Sequence, residues 1–365
     1  MQFPSRYAAL AAAVFLTLNS LPTRSHAQQC DLALPTKLEG DISLPFGCIY
    51  EKSIRITTSG TTLNCNGAIF DGKQRLRVGL IVESLGKPLS NIEVRNCTFQ
   101  NYLSGGVRVG WGADDKVKGS NHAENYARTP TRVRLNRLQV KDSGRVGIYF
   151  DDYVTESELS DSTISNSGNV GLYLDHSSRN NRIVGNRFIR NGTAAGGREA
   201  IAVDSSAGNV IENNVFENNT KGGIFIYKNC SENIRPENSA VRWQHSTDNR
   251  ISNNTFVGEK IGVWIASRQS RNLQSWKCSD KPMDLAGKFY EDFADENIVE
   301  SNKFCHTEVA IRVESDRNKI LRNTFGAEVQ QRIDIPRTMR EKFLGRPQTG
   351  NIVSNNIISN CPIGR

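Results

Sequence analysis

The sequence predicts an all-β solenoid, and three observations predict it. First, one pattern recurs: GLIVES from Gly79, GVRVGW from Gly106, GIYFDD from Gly147 and GLYLDH from Gly171. AIAVDS from Ala200, GIFIYK from Gly223, GVWIAS from Gly262 and AIRVES from Ala310 continue it, with shortest spacings of 24 and 23 residues. Second, a companion pattern, aliphatic-x-x-Asn-x-Phe, follows at Phe188, Phe216, Phe256, Phe304 and Phe325. Third, the repeats alternate apolar and polar residues between Gly and Asn corners, and helical periodicity is nearly absent. Self-similarity at a near-fixed period marks a solenoid. The expected architecture is a right-handed parallel β-helix of about ten coils, with an N-terminal cap and loop insertions.

The elements follow in order. Arg6, the apolar run Tyr7 to Leu18 and Ser25-His26-Ala27 read as a signal peptide over residues 1–27. The run is too short to span a bilayer comfortably. The remainder, 28–365, is expected to be one domain in the periplasm or outside the cell. Cys30 to about Arg55 caps the first coil. Asn186, Asn214, Asn254, Asn302 and Asn323 form a ladder whose carboxamides bond one another along the axis. The phenylalanines beside them fill the interior. Insertions interrupt the period at 112–130, with Lys116, Lys118, His122 and Arg128, and again at about 230–247 and 268–295. Such insertions gather on one face and wall a groove. Residues 327–348 are basic and non-repetitive, and read as a helix or loop on the last coils.

The formal net charge is +8, or +6 once a signal carrying two arginines and no acid is removed. That balance suits an acidic partner or a merely solvated surface. The expected partner is an acidic polysaccharide, with no nucleic acid and no stable membrane insertion. All eight cysteines lie beyond the signal, an even count that reads as disulfides in an exported chain. No zinc spacing occurs among them, and Cys30 and Cys48 are close enough in sequence to staple the cap.

The two-residue period of a strand sorts the repeats into inward and outward sets. Ile148 and Phe150 point in, so Tyr149 and Asp151 point out. The first outward column is Ile81, Arg108, Tyr149, Tyr173, Ala202, Phe225, Trp264 and Arg312. The second is Glu83, Gly110, Asp151, Asp175, Asp204, Tyr227, Ala266 and Glu314. Asp152, His176, Ser205 and Lys228 stand beside it at the strand exits. One aspartate at a strand exit is a turn cap. Three on successive coils are different, because adjacent ionised pairs about 5 Å apart cost roughly 3 kcal/mol each at an effective dielectric of ~20. A solvent-facing ladder of this kind calls for a shared proton, neighbouring cations or a bound metal, for which Ca²⁺ on Asp151, Asp175 and Asp204 is the natural choice. The aromatic column, with Tyr149, Tyr173, Phe225 and Trp264 exposed, suits the faces of sugar rings. Tyr227 and Arg108 join it as candidate substrate contacts. Glu83, Glu314 and Arg312 read as ordinary surface, and His122, His245 and His306 as incidental.

From LNCNGAIFDG at Leu63 to Cys361, the coil pattern resembles the secreted right-handed β-helix repeat proteins. That group includes pectate lyases, polygalacturonases, alginate lyases and mannuronan C5-epimerases. Asp151-Asp152 looks similar to the paired aspartates of polygalacturonases, but their Gly-His-Gly and Arg-Ile-Lys motifs are missing. Asp175-His176 keeps only the Asp-His part of the epimerases' Asp-Pro-His-Asp. Asp151, Asp175 and Asp204 with Lys228 resemble in type the acid cluster and base of calcium-dependent polyuronate lyases.

These features lead to three readings. The first is a lyase or C5-epimerase acting on a uronate glycan in a groove on the outer face. Its catalytic residues would come from Asp151, Asp152, Asp175, His176, Asp204 and Lys228, with Lys228 or His176 as base. The second is a glycoside hydrolase using two of the aspartates as acid and base. The third is a glycan-binding protein that needs the aromatics but not the acids.

Overall fold

The computed structural model describes Cys30 and residues 33–112, 121–231 and 242–361. The signal segment, Lys116 and Lys118 lie outside the described residues. The chain winds through three parallel sheets of 11 strands each, so there are eleven coils. In every sheet, a strand pairs with its counterpart one coil on, the arrangement of a parallel β-helix. Coils 4 to 9 enter the first sheet at Gly105–Gly110, Val146–Phe150, Val170–Leu174, Ile201–Asp204, Ile224–Tyr227 and Ile261–Ile265.

The strands form where the sequence alternates, because every second side chain is buried in the lumen. Leu80, Val107, Ile148, Leu172, Ile201, Ile224, Val263 and Ile311 stack in one interior column. A column of rings fills the third sheet's inner side. Phe188, Phe216, Phe256, Phe304 and Phe325 stack with centroids 4.7–5.6 Å apart. That spacing is the rise of one coil.

The asparagine ladder forms as expected. Asn186 donates its backbone N–H and its amide to Asn214 Oδ1, at 2.8 and 3.0 Å. Asn214 does the same to Asn254, Asn254 to Asn302, Asn302 to Asn323, and Asn323 to Asn356. A parallel ladder runs through Asn181, Asn209, Asn249, Asn297 and Asn318. A third passes from Asn191 to Asn219 and ends on the buried Glu259.

The insertions pack beside the first sheet's strand exits. The first holds a short helix, His122–Ala127, capped by Asn121. His122 stacks on Trp243 of the second insertion at 4.4 Å. The third is tied to the second by the disulfide Cys230–Cys278. The other pairs are Cys30–Cys48, Cys65–Cys97 and Cys305–Cys361. Residues 327–348 supply both a strand, Gln331–Asp334, and a helix, Met339–Leu344. The last coil leaves Ile352, Val353, Ile357 and Ile358 exposed. Among the described residues, no helix is long and apolar enough to cross a membrane.

Candidate functional site

Both outward columns stand in the expected register. Arg108 pairs with Tyr149, Tyr149 with Tyr173, Tyr173 with Ala202, Ala202 with Phe225 and Phe225 with Trp264. Asp151, Asp175 and Asp204 follow the matched residues Phe150, Leu174 and Val203, so the three carboxylates occupy one position on coils 5, 6 and 7.

Exposure is where the expectation needs correcting. The acids do not face solvent: Asp151 and Asp152 are each 4% exposed, Asp175 2% and Asp204 0%. Phe225 and Tyr227 are also buried, whereas Tyr149, Tyr173, Trp264 and Arg108 are half-buried. The insertions cause this, since Arg242 and Gln244 of the second insertion reach residues of the strand exits.

Burial makes the like charges more expensive, and each carboxylate is held by groups from different elements. Arg108 of coil 4 reaches Asp151 at 2.6 Å. Gly110 permits this crowding, because a Cβ there would meet Asp151 O at 2.9 Å. His176 Nδ1 lies 2.8 Å from Asp151 and 3.1 Å from Asp152, and its Nε2 lies 3.6 Å from Asp175. The imidazole is aimed by its backbone: His176 has φ 45°, and Asp175 Oδ1 accepts its N–H at 2.8 Å. Asp152 and Ser205, the equivalent exits, take the same left-handed turn.

Tyr149 donates to Asp175 and Tyr173 to Asp204, both at 2.7 Å. Arg242 bridges these two acids, 3.1 Å from Asp175 and 2.7 Å from Asp204. Asn229 completes Asp204 with its backbone N–H and its amide.

The electrostatics follow from burial and these pairings. Burial pushes the Asp175 carboxyl above its usual range, with Arg242 opposing. Burial also works on Asp204, but Arg242, the Asn229 N–H and Tyr173 outweigh it and hold that group low. The His176 imidazole is raised to about 10. Burial opposes its charge, and Asp175, with the bonds to Asp151 and Asp152, overcomes that opposition. Burial first, then the neighbouring acids, holds both Tyr149 and Tyr173 well above the ordinary phenol value. The cluster therefore works with a charged imidazole and neutral phenols.

Two expected members stand apart. Lys228 gives its backbone N–H to Asp292, and its charge acts on Asp292 and His245. Trp264 lies two coils beyond Tyr173's neighbour Ala202, flanked by Arg271. Oxygen and nitrogen atoms of Asp151, Asp175 and His176 come within 4.8 Å of one another. Asp204 is taken up by Arg242, Asn229 and Tyr173. Asp151, Asp175 and His176 are therefore the residues that could hold an ion, while Arg242 already pairs with Asp175 and Asp204. A concavity of about 560 Å³ lies elsewhere, against turns carrying Phe46, Asn66, Asn96 and Arg137, and holds none of these residues.

Sequence reasoning missed Arg242, Asn229 and the pair Arg198–Glu199, whose guanidinium lies 5.0 Å over the Tyr173 ring. The three stacked acids signalled that cations were needed, but an irregular insertion gives no register from which to locate them.

Residues 87–240 match the family model described as a right handed beta helix region. The fold is a right-handed parallel β-helix. No curated protein matches the chain. Among solved structures, the β-helix is similar to an alginate lyase from Paenibacillus sp. str. FPU-7, at 14% identity, with 89% of this chain and 93% of that one covered and a TM-score of 0.49. It is also similar to the tailspike protein of E. coli bacteriophage HK620 in complex with a pentasaccharide, at 12% identity, 88% and 60% coverage and a TM-score of 0.44. The chain spans 60% of that tailspike's length.

Proposed function

We propose that the chain is an exported enzyme that processes a uronate-containing glycan by lyase or C5-epimerase chemistry, on the outer face of coils 4 to 7. One observation carries this reading. Every aspartate of the cluster is engaged by cations or hydroxyls, while the groups that keep a face toward solvent are Arg108, His176, Tyr149 and Tyr173. A hydrolase needs two carboxyl groups presented to its substrate. The groups that remain accessible here are electrophiles and proton carriers, as abstraction of the proton alpha to a carboxylate requires.

In this mechanism the substrate carboxylate lies against Arg108 and the His176 imidazolium, which neutralise it as carbanion character develops. Tyr149 Oη takes the proton from carbon, and its own proton passes to Asp175 Oδ2, a carboxyl that burial has already made receptive. For a lyase, the electron pair then forms the carbon–carbon double bond, the glycosidic C–O bond breaks, and His176 protonates the departing oxygen. For an epimerase, the His176 imidazolium returns a proton to carbon from the face opposite Tyr149. Tyr173 and Arg242 hold Asp204 and Asp175 in place.

The test is incubation with a panel of polyuronates in D₂O, with and without calcium and chelator. Deuterium at the carbon alpha to the carboxylate is expected if the enzyme is an epimerase, and ultraviolet-absorbing unsaturated ends if it is a lyase. Reducing ends without either signal would mean hydrolysis, and binding alone would mean a glycan-binding protein. A signal abolished by chelator would support a metal site at the aspartates.

A further inference from the structure

Beyond the aspartate cluster, coils 8 and 9 carry a second polar group with the opposite imbalance. Arg268 is 6% exposed, and its guanidinium lies 3.8 Å over the ring of Tyr227. No hydrogen bond or ion pair reaches that guanidinium among the described residues, and its Nε is buried without a partner. Three carboxylates act on it, but each is committed elsewhere. Asp204 is held by Arg242, Asn229 and Tyr173. Glu199 takes Arg198 and the Tyr227 hydroxyl. Asp292 accepts the backbone N–H groups of Lys228 and Arg268. Burial lifts that last carboxyl to about 7, so it supplies only part of a charge near neutral pH.

The surroundings add further donors, and the one further acid there, Glu314, accepts the Ser267 N–H and pairs with Arg312. Lys228 is 7% exposed and forms no ion pair among the described residues. Ser267 Oγ and both amide atoms of Gln269 are buried without a partner. Arg271 lies 4.7 Å over Trp264, which pairs in register with Phe225 one coil back. Burial accordingly pulls the Arg268 guanidinium below its ordinary value, as expected of a buried cation short of counter-charge. Buried charges in folded proteins are paired, and an unpaired one marks a missing partner.

We infer that the buried cluster of Arg268, Lys228 and Gln269, with the exposed Arg271 at its edge, is an anion subsite that holds an oxyanion borne on a sugar, a uronate carboxylate, beside Trp264. It lies two to three coils from Asp175, roughly 10–15 Å at about 4.8 Å per coil. This deepens the acidic-glycan reading and rests on it for the substrate class only. The subsite would anchor a second acidic unit while the first reacts, and so favour polyanionic chains over single sugars.

The test uses the full chain, with glucuronate, inorganic sulfate and glucose as probes in thermal-shift and calorimetric titrations. Glucuronate is expected to raise the melting temperature and glucose is not. Arg268→Met should leave the unliganded protein as stable as the wild type or more so, because it removes an uncompensated buried charge. The same variant should weaken glucuronate at least tenfold, and Arg271→Met should weaken it a few-fold. Sulfate bound tighter than glucuronate would support the oxyanion site and name a sulfate ester as its source. A destabilised Arg268→Met with unchanged anion affinity would make the arginine structural and overturn the inference, as would a wild type that binds no anion. Anion binding without turnover leaves the subsite standing and sinks only the catalytic reading. Turnover with an indifferent Arg268→Met does the reverse.

Discussion

Two buried polar columns run along this solenoid, and they are satisfied in opposite ways. In the asparagine ladder, each carboxamide donates to the next coil and accepts from the one before, so repetition itself supplies the partners. In the aspartate column, repetition creates the problem, because carboxylates only accept. Its partners come from an arginine one coil back, a histidine at a turn and an arginine on an insertion. Self-satisfying repeats build structure. A repeat that must import its partners from several elements stores electrostatic energy, and that is where reactive groups gather.

The largest expected effect breaks the imported half of that contrast. Arg242→Met strands Asp175 and Asp204, and removal of one partner from a buried ionic pair costs about 3–5 kcal/mol. Urea denaturation should show the loss at neutral pH and a smaller loss in acid, where Asp175 takes up a proton. No loss would mean that the tyrosines and Asn229 suffice. Asn214→Ala breaks the other half. It removes bonds to Asn186, Asn254 and the Ile183 carbonyl, and should cost about 2–4 kcal/mol through stranded donors and acceptors. Activity per folded molecule should be unchanged.

His176→Gln separates reactivity from stability, with an expected activity loss of about 10² to 10⁴. Its pH signature has a definite sign. The folded group titrates at about 10, above its ordinary 6.5. Its stabilisation is therefore complete below 6.5 and lost as the pH rises toward 10. The variant's stability should be flatter across that window, and equal slopes would deny the imidazolium.

The smallest effect lies where the ladder meets an acid. Burial raises Glu259 from 4.5 to about 8, so the folded state holds a proton that the unfolded state has released. Stability from this group falls as pH climbs from 4.5 toward 8. Glu259→Gln should recover about 1–3 kcal/mol near pH 8 and nothing at pH 4.

The legible part of the molecule was the part governed by period. Inward and outward columns, the Asn186 ladder and the stacked phenylalanines all follow from two-residue alternation repeated coil by coil. The cluster was half legible. Asp151, Asp175, Tyr149 and Tyr173 sit on repeat positions, and their register was read from neighbours. Arg242, Arg198 and Arg268 sit on irregular segments, where sequence spacing carries no distance information. The same segments explain the error over exposure, since alternation says which way a side chain points but not what is folded over it. Lys228 shows this most plainly: it stands at the expected strand exit, yet Asp292, 64 residues further on, takes its backbone N–H.

The placement of the disulfides has a last consequence. A stack in which each coil touches only its neighbours melts like a zipper, from its ends inward. Cys30–Cys48 and Cys65–Cys97 fasten one end, and Cys305–Cys361 fastens the other. Coils 5 to 7 contain no cysteine and hold the aspartates. Three of the four covalent clasps guard the tips, and the fourth, Cys230–Cys278, ties down the insertions beside the aspartates, so a reductant would shorten the rod and loosen that cover while the middle coils stayed wound.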